Sequence, residues 1–312
     1  MKATPSSKKI LIPVDGSGRS LNTVRYIARF EPFHKIKLVL LHIFRAVPEG
    51  FYDLGTDPKS ARAVRGIKAW EAQQEVYIRQ HMQIAHQFLL KAGFHPESVE
   101  LKTQQRKEGV ARDIIDEARK EYTAVLFRHR GLPALRSIVM GSVATKLIEK
   151  LSFIPLILVG RKPPGNKLLL AFDGSEGAMR AVDFVGSTLG GFNLNVGLIH
   201  VIRGKETKKQ EFQRIYSPEE YTEMTQKKMA LALDKAKANL VDFGFKPAEA
   251  TTKIITGVTS RASAIVSCAK HEDYGTIVMG KRGISRVRDF FIGRVTNKVI
   301  HLARDKTVCV IR

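Results

Sequence analysis

Short apolar runs alternate along this chain with stretches whose apolar residues recur at helical spacing. In the first half, Ile10–Val14, Leu38–Ile43, Ala124–Phe127 and Leu156–Val159 are nearly continuous apolar runs. Runs of that length, bounded by turn-forming and polar residues, predict strands buried on both faces. Val99–Thr103 alternates instead and predicts a weaker, half-exposed strand. Between these runs Ile78, Met82, Ala85 and Leu89 recur every third or fourth residue, which is one stripe of a helix. Met229, Leu233, Ala236 and Leu240 form a second such stripe. Ser217-Pro218-Glu219-Glu220 predicts a helix start, with a capping serine, a proline in the first turn and acids at the positive end of the dipole. Strands alternating with helices predict an α/β fold, a parallel sheet covered on both faces. We read five strands per half.

The halves are copies. KKILIPVDGS (8–17) matches NKLLLAFDGS (166–175), and KLVLLHIF (37–44) matches NVGLIHVI (195–202). RGLPALRSIVMGSVATKLI (130–148) matches RGISRVRDFFIGRVTNKVI (282–300), and PLILVGR (155–161) matches TVCVIR (307–312). The first copy carries extra residues between His42 and Ile78. RKPPGN (161–166) stops the strand before it, so the domains are placed at 1–162 and 163–312. The linker is too short for the halves to drift apart.

Composition narrows the setting. The chain has 312 residues, which suits two domains, and a formal net charge of +22, which favours anionic partners. Cys268 and Cys309 build neither a disulfide framework nor a zinc site, so a cytoplasmic, reducing setting is expected. No apolar run approaches the roughly 20 residues needed to cross a bilayer, and the N-terminal run is too short for a signal peptide. No membrane association is expected.

The candidate chemistry lies after the first and fourth strands of each copy. In open parallel sheets, ligands sit beyond the carboxyl ends of the strands, where strand order reverses. Asp15-Gly16-Ser17 and Asp173-Gly174-Ser175 each follow a first strand and open a helix. After the fourth strand, MGKRGISRVRDFFIGRVTNK (279–298) sets Gly280, Gly283 and Gly293 among Lys281, Arg282, Arg286, Arg288 and Arg294. Glycines at 280 and 283 would let backbone approach a ligand. The N–H groups of a helix starting at Gly293 are a natural seat for phosphate.

This order of strands, the Asp after strand one, and G-x-x-G-x9-G-(S/T) after strand four resemble the universal stress proteins. The resemblance covers nearly the whole chain as a tandem pair. It implies two flavodoxin-like (adenine nucleotide alpha hydrolase-like) domains, each a five-stranded parallel sheet of order 3-2-1-4-5. It also implies ATP, accompanied by Mg2+, across the strand ends. Carried over, the adenosine is flanked by Asp15 and Ile43 in the first copy and by Asp173 and Val201 in the second. Ribose and phosphates fall to Gly131, Gly141, Ser142 and Val143 in the first copy and to Gly280, Gly283, Gly293, Arg294 and Val295 in the second. Both copies depart from the motif. Arg128 stands where the first copy should have its first glycine, either blocking the ribose or pairing with phosphate. Arg294 replaces the second copy's Ser/Thr, losing a hydroxyl and gaining a guanidinium that can hold phosphate bidentately. The second copy is therefore the better site.

Plainer readings compete. The glycine loops would also suit inherited turns around an empty pocket, and the aspartates would suit loop structure or capping. Ser17 and Ser175 are read as helix caps, and His42 and His200 as hydrogen-bonded core groups. His81 and His86 have poor spacing for a shared metal, so no metal site is expected. Nucleic-acid binding stays a minor alternative, because no recognition motif accompanies the scattered charge. Neither a P-loop nor a nucleophile–base pair is present, so at most slow ATP hydrolysis is expected. The two function readings are a nucleotide-binding stress-response regulator acting on an unknown protein partner, and an interaction scaffold without nucleotide. The last strands, Leu156–Val159 and Val308–Ile311, would lie at open sheet edges. The resemblance implies that they pair, here within one chain as a pseudo-dimer; a further homodimer is left open.

Overall fold

A computed structural model describes residues 8–45, 58–128, 142–204, 217–281 and 292–312. By contact the chain clusters into two compact units, Met1–Phe127 and Arg128–Arg312.

The first unit begins with β1 (Lys9–Pro13), which feeds α1 (Gly18–Ala28). Then come β2 (Lys37–Phe44), a long α2 (Pro58–Lys91), β3 (Val99–Gln105), α3 (Val110–Ala118) and β4 (Ala124–Arg128). β1 pairs in parallel with β2 on one side and β4 on the other, and β2 pairs in parallel with β3. The order is 3-2-1-4. Leu11, Ile12, Leu38 and Leu126 are completely buried or nearly so, as their unbroken apolar runs require. β3 alternates buried, half-exposed and exposed positions, the period-two pattern of its sequence. On α2 the stripe Met82, Ala85 and Leu89 is buried.

The second unit holds α4 (Ser142–Lys150) and β5 (Leu156–Val159), then β6 (Lys167–Ala171), α5 (Glu176–Leu189) and β7 (Asn195–Arg203). α6 (Pro218–Asp242), β8 (Ala250–Val258), α7 (Arg261–His271), β9 (Thr276–Gly280), α8 (Arg294–Leu302) and β10 (Thr307–Ile311) complete it. All pairings from β8 through β7, β6 and β9 to β10 are parallel. The expected order 3-2-1-4-5 is thus complete in the second copy. β5 then pairs antiparallel with β10, Cys309 opposite Ile157. The two open edges anticipated from the sequence cover one another. β5 ends at Gly160, where a side chain would run into the Lys306 backbone. The fold is an α/β fold of mostly parallel strands, written twice.

The start of α6 matches its sequence signal. Ser217 Oγ accepts from the Glu220 amide at 3.1 Å, and the Glu220 carboxylate accepts from the Ser217 amide at 2.8 Å. That reciprocal pair satisfies two amides the helix itself cannot.

Candidate functional site

β6 lies between β7 and β9, so the sheet's order reverses at its carboxyl end. One more backbone bond, Phe172 N–H to the Ile199 carbonyl (2.8 Å), extends the β6–β7 ladder. His200 Nδ1 then lies 2.8 Å from the Phe172 carbonyl and donates to it, since a carbonyl can only accept. The first copy repeats this: Val14 N–H bonds to the Leu41 carbonyl, and His42 Nδ1 donates to the Val14 carbonyl at 2.8 Å. Both imidazoles are buried, and burial pushes the His42 pKa down. They are core groups, as expected. Each ties the strand-one end to strand two and so aims the aspartate turn.

The turns themselves are alike. Gly16 and Gly174 have φ of +74° and +77°, a left-handed conformation that favours glycine. Asp15 Oδ1 accepts from the Ser17 amide (3.1 Å) and hydroxyl (2.6 Å), and Asp173 Oδ1 accepts from the Ser175 amide (3.1 Å). Ser17 and Ser175 cap α1 and α5 by accepting from Ser20 and Ala178. The serines are therefore caps, and one oxygen of each aspartate is engaged within its own turn.

The fourth-strand segment meets this turn in the second copy. A side-chain carbon on Gly280 would stand 2.7 Å from the Gly177 carbonyl carbon, so β9 and the first turn of α5 touch backbone to backbone. From sequence, Gly280 is given to close approach of a ligand; helix–strand packing is a further reason why no side chain fits there. Lys281 follows, buried, its amide bonded to the Ile311 carbonyl. Its own carbonyl accepts from the Gly293 amide at 2.8 Å, a neck that ties the end of β9 to the start of α8. The Thr296 hydroxyl donates to the Gly280 carbonyl at 3.0 Å and clamps α8 to β9. α8 starts at Gly293, which offers no capping side chain, and leads with Arg294 (exposed) and Val295 (half-buried). Gly283 lies outside the described residues, as do Gly131 and Gly141 of the first copy. Ser142 and Val143 open α4, exposed and half-buried. Arg128 ends β4 half-buried; burial lowers its pKa, and the neighbouring Arg161 lowers it further.

Side chains of the chain itself crowd the aspartate turns of both copies. In the second, the Met229 methyl lies 3.0 Å from where a Gly174 side chain would begin. The Val201 carbonyl already accepts from Arg261 Nε at 3.1 Å. In the first, Ile43 is half-buried, and the recess beside the turn, lined by Gly16, His42, Ile78 and His81, holds only about 10 Å³. That is room for about one water. Tyr77 packs on His81 with the rings tilted by 42° and their centroids 4.5 Å apart, and its hydroxyl donates to the Gly16 carbonyl, 3.4 Å away. Arg261, Tyr77 and Thr296 were not anticipated. Arg261 corresponds to Val110 in the first copy, so comparing the repeats leaves no trace of it. Gly177, four residues after Asp173, was the one visible signal.

Among the described residues no group of three His, Cys, Asp or Glu could hold a metal ion, and no helix is long and apolar enough to cross a membrane.

A model of the universal stress protein family matches residues 6–159 and again 165–312. A universal stress protein of Mycolicibacterium smegmatis is 28% identical over 192 residues, 56% of this chain and 62% of that relative's length. The universal stress protein YxiE of Bacillus subtilis is 29% identical over 143 residues, 44% of this chain and 93% of its own. The crystal structure of a universal stress protein from Archaeoglobus fulgidus superposes with a TM-score of 0.59 at 20% identity, covering 98% of this chain and 99% of that one; this likeness is one of fold.

Proposed function

The chain belongs to the universal stress protein family, and from that premise we propose that it binds an adenine nucleotide, ATP with Mg2+, in its second domain (163–312). It then works as a cytoplasmic stress-response regulator whose nucleotide-ordered loop is what a protein partner reads. The observation that carries this is the meeting of two turns at the switch point. Asp173-Gly174-Ser175 and the Lys281–Gly293 neck are held together by Gly280 packed on Gly177. The leading amides of α8 and Arg294 suit a polyphosphate, and the sequence sets Arg282, Arg286 and Arg288 just before them. No base is placed to activate water by the described residues, so binding, with hydrolysis slow at most, is the proposed activity.

Equilibrium binding of labelled ATP tests this. Saturable binding abolished by Gly283→Trp and retained by Gly131→Trp supports the second domain as the site. Binding lost only in Gly131→Trp moves the site to the first domain. Absence of binding at high nucleotide concentration sinks the reading. A second reading, a scaffold without nucleotide, is favoured by Met229 against Gly174 and Arg261 on the Val201 carbonyl. It predicts that last outcome.

A further inference from the structure

Two helices of the second domain contain no acidic residue. α7 and α8 pack side by side, and neither holds an aspartate or a glutamate. Ser263, Ser267 and Lys270 recur at helical spacing along the exposed side of α7, and His271 ends it, also exposed. Arg294, Asn297 and Lys298 line the exposed side of α8. Arg304 follows α8, exposed, and stands near His301: burial, and then this guanidinium, lower the imidazole's pKa. The bordering acids are otherwise engaged. Glu272 meets Lys253 at 2.6 Å, Asp273 meets Lys306 at 3.6 Å, and Asp305 is half-buried. Elsewhere the signs are mixed. α5 and α6, packed on one another, bear Glu176, Asp183, Glu223, Asp234 and Asp242 among their cations. The first-copy helices that correspond to α7 and α8 bear Asp113, Asp116, Glu117 and Glu149. Charge that looks scattered along the chain is gathered by the fold on one face with no carboxylate between.

We propose that the α7–α8 face binds the phosphate backbone of double-stranded nucleic acid without regard to base sequence. Lysine, arginine, serine and asparagine are side chains that hold phosphate oxygens, and these are what the two helices present. A protein partner fits less well, because the centre of a protein interface is apolar and aromatic. Leu302, 42% exposed, is the one large apolar side chain exposed on either helix. That same lack leaves nothing to insert into a lipid surface. Single strands call for aromatic platforms, and neither helix has a Phe, Tyr or Trp. Size agrees: the 11 residues of α7 extend about 16 Å, the length of about five phosphates along one strand of a duplex. Lys270, Arg294, Lys298 and Arg304 are the cations placed to meet them. A nucleotide at the start of α8 would take Arg294 and withdraw that contact alone, so the proposal stands apart from the nucleotide reading.

Fluorescence anisotropy of short labelled DNA and RNA duplexes, titrated with the full chain in the absence of nucleotide, is the test. Saturable binding of either duplex is expected, unchanged when its sequence is scrambled. With four phosphates neutralised, log K should fall against log salt with a slope of about −3.6. Lys270→Gln/Lys298→Gln should weaken binding about 60-fold at about 0.1 M salt and halve the slope to about −1.8. Its melting curve should match the parent's, because both side chains are exposed. Lys227→Gln/Lys228→Gln removes the same charge from the exposed side of α6 and should leave affinity and slope as they were. Equal losses in the two double variants overturn the proposal, since overall charge and not this face would then hold the duplex. So does binding that depends on base sequence. So does absence of duplex binding, including the case in which phosphatidylserine vesicles bind instead.

Discussion

Gly280 and Gly177 meet backbone to backbone: a side-chain carbon on Gly280 would lie 2.7 Å from the carbonyl carbon and 2.8 Å from the carbonyl oxygen of Gly177. Neither atom can yield without moving α5. Gly280→Ala should therefore cost about 2 kcal/mol of stability, as overpacking against rigid backbone does. A thermal melt reads this directly, with a drop of several degrees expected. A Gly280→Ala protein that melts unchanged would show that α5 moves aside at this contact without cost.

Arg261 and Val201 make the second prediction, which rests on the proposed nucleotide site. On that proposal the Val201 carbonyl would accept from the adenine amino group, and in the structure Arg261 Nε donates to it at 3.1 Å. Arg261→Ala should release it. A single added hydrogen bond is worth about 1 kcal/mol, so ATP should bind about fivefold more tightly. GTP, which lacks that amino group, should gain little. Titration calorimetry with both nucleotides checks it, and weaker ATP binding would instead make the guanidinium a ligand.

The sheet was legible because burial on both faces demands unbroken apolar runs, and Ile10–Val14 and Leu156–Val159 are short and rich in β-branched residues, which favours strands over buried helices. Caps were legible for a local reason: Ser17, Ser175 and Ser217 act within three residues of themselves. The open edges of β5 and β10 were legible in the sequence, and their pairing was what the family resemblance implied. Long-range closure was not legible. Gly280 looks like a ligand glycine in sequence because its reason, Gly177, lies on another element. Met229 was seen as core, which it is, yet nothing in its stripe says that its methyl reaches Gly174. The packing boundary after Phe127 is equally hidden, since repeats record how a chain was copied and not which strands cluster.

The two thiols should be inert. Burial pushes Cys309 up to about 12, and burial with the Glu272 carboxylate pushes Cys268 up to about 11. Only the thiolate attacks alkylating reagents, so at neutral pH both should react at least ~100-fold more slowly than a free cysteine. Mass spectrometry after iodoacetamide treatment should find neither modified in the native protein and both modified in denaturant. Early labelling at Cys268 would mean that α7 opens locally.

Glu117 should govern the acid limb of stability. Its side chain is 1% exposed, and the carboxylate meets Lys102 at 2.8 Å and Lys120 at 2.6 Å and accepts from the Tyr122 hydroxyl at 2.7 Å. Burial alone would raise its pKa. The hydrogen bonds from Lys102, Lys120 and Tyr122 outweigh that and bring it down from 4.5 to about 2. A carboxyl whose folded pKa lies below its unfolded one binds its proton more readily in the unfolded chain. Its stabilising effect is full above about pH 4.5 and is lost as pH falls towards 2. Glu117→Gln should lower stability at pH 7 by about 2 kcal/mol, discounted because both lysines reach solvent. It should also flatten the decline between pH 4.5 and 2, since the amide has no proton to gain there. Denaturant unfolding at both ends of that range separates the two effects. A uniform loss at every pH would show that Glu117 acts through packing and not through its charge.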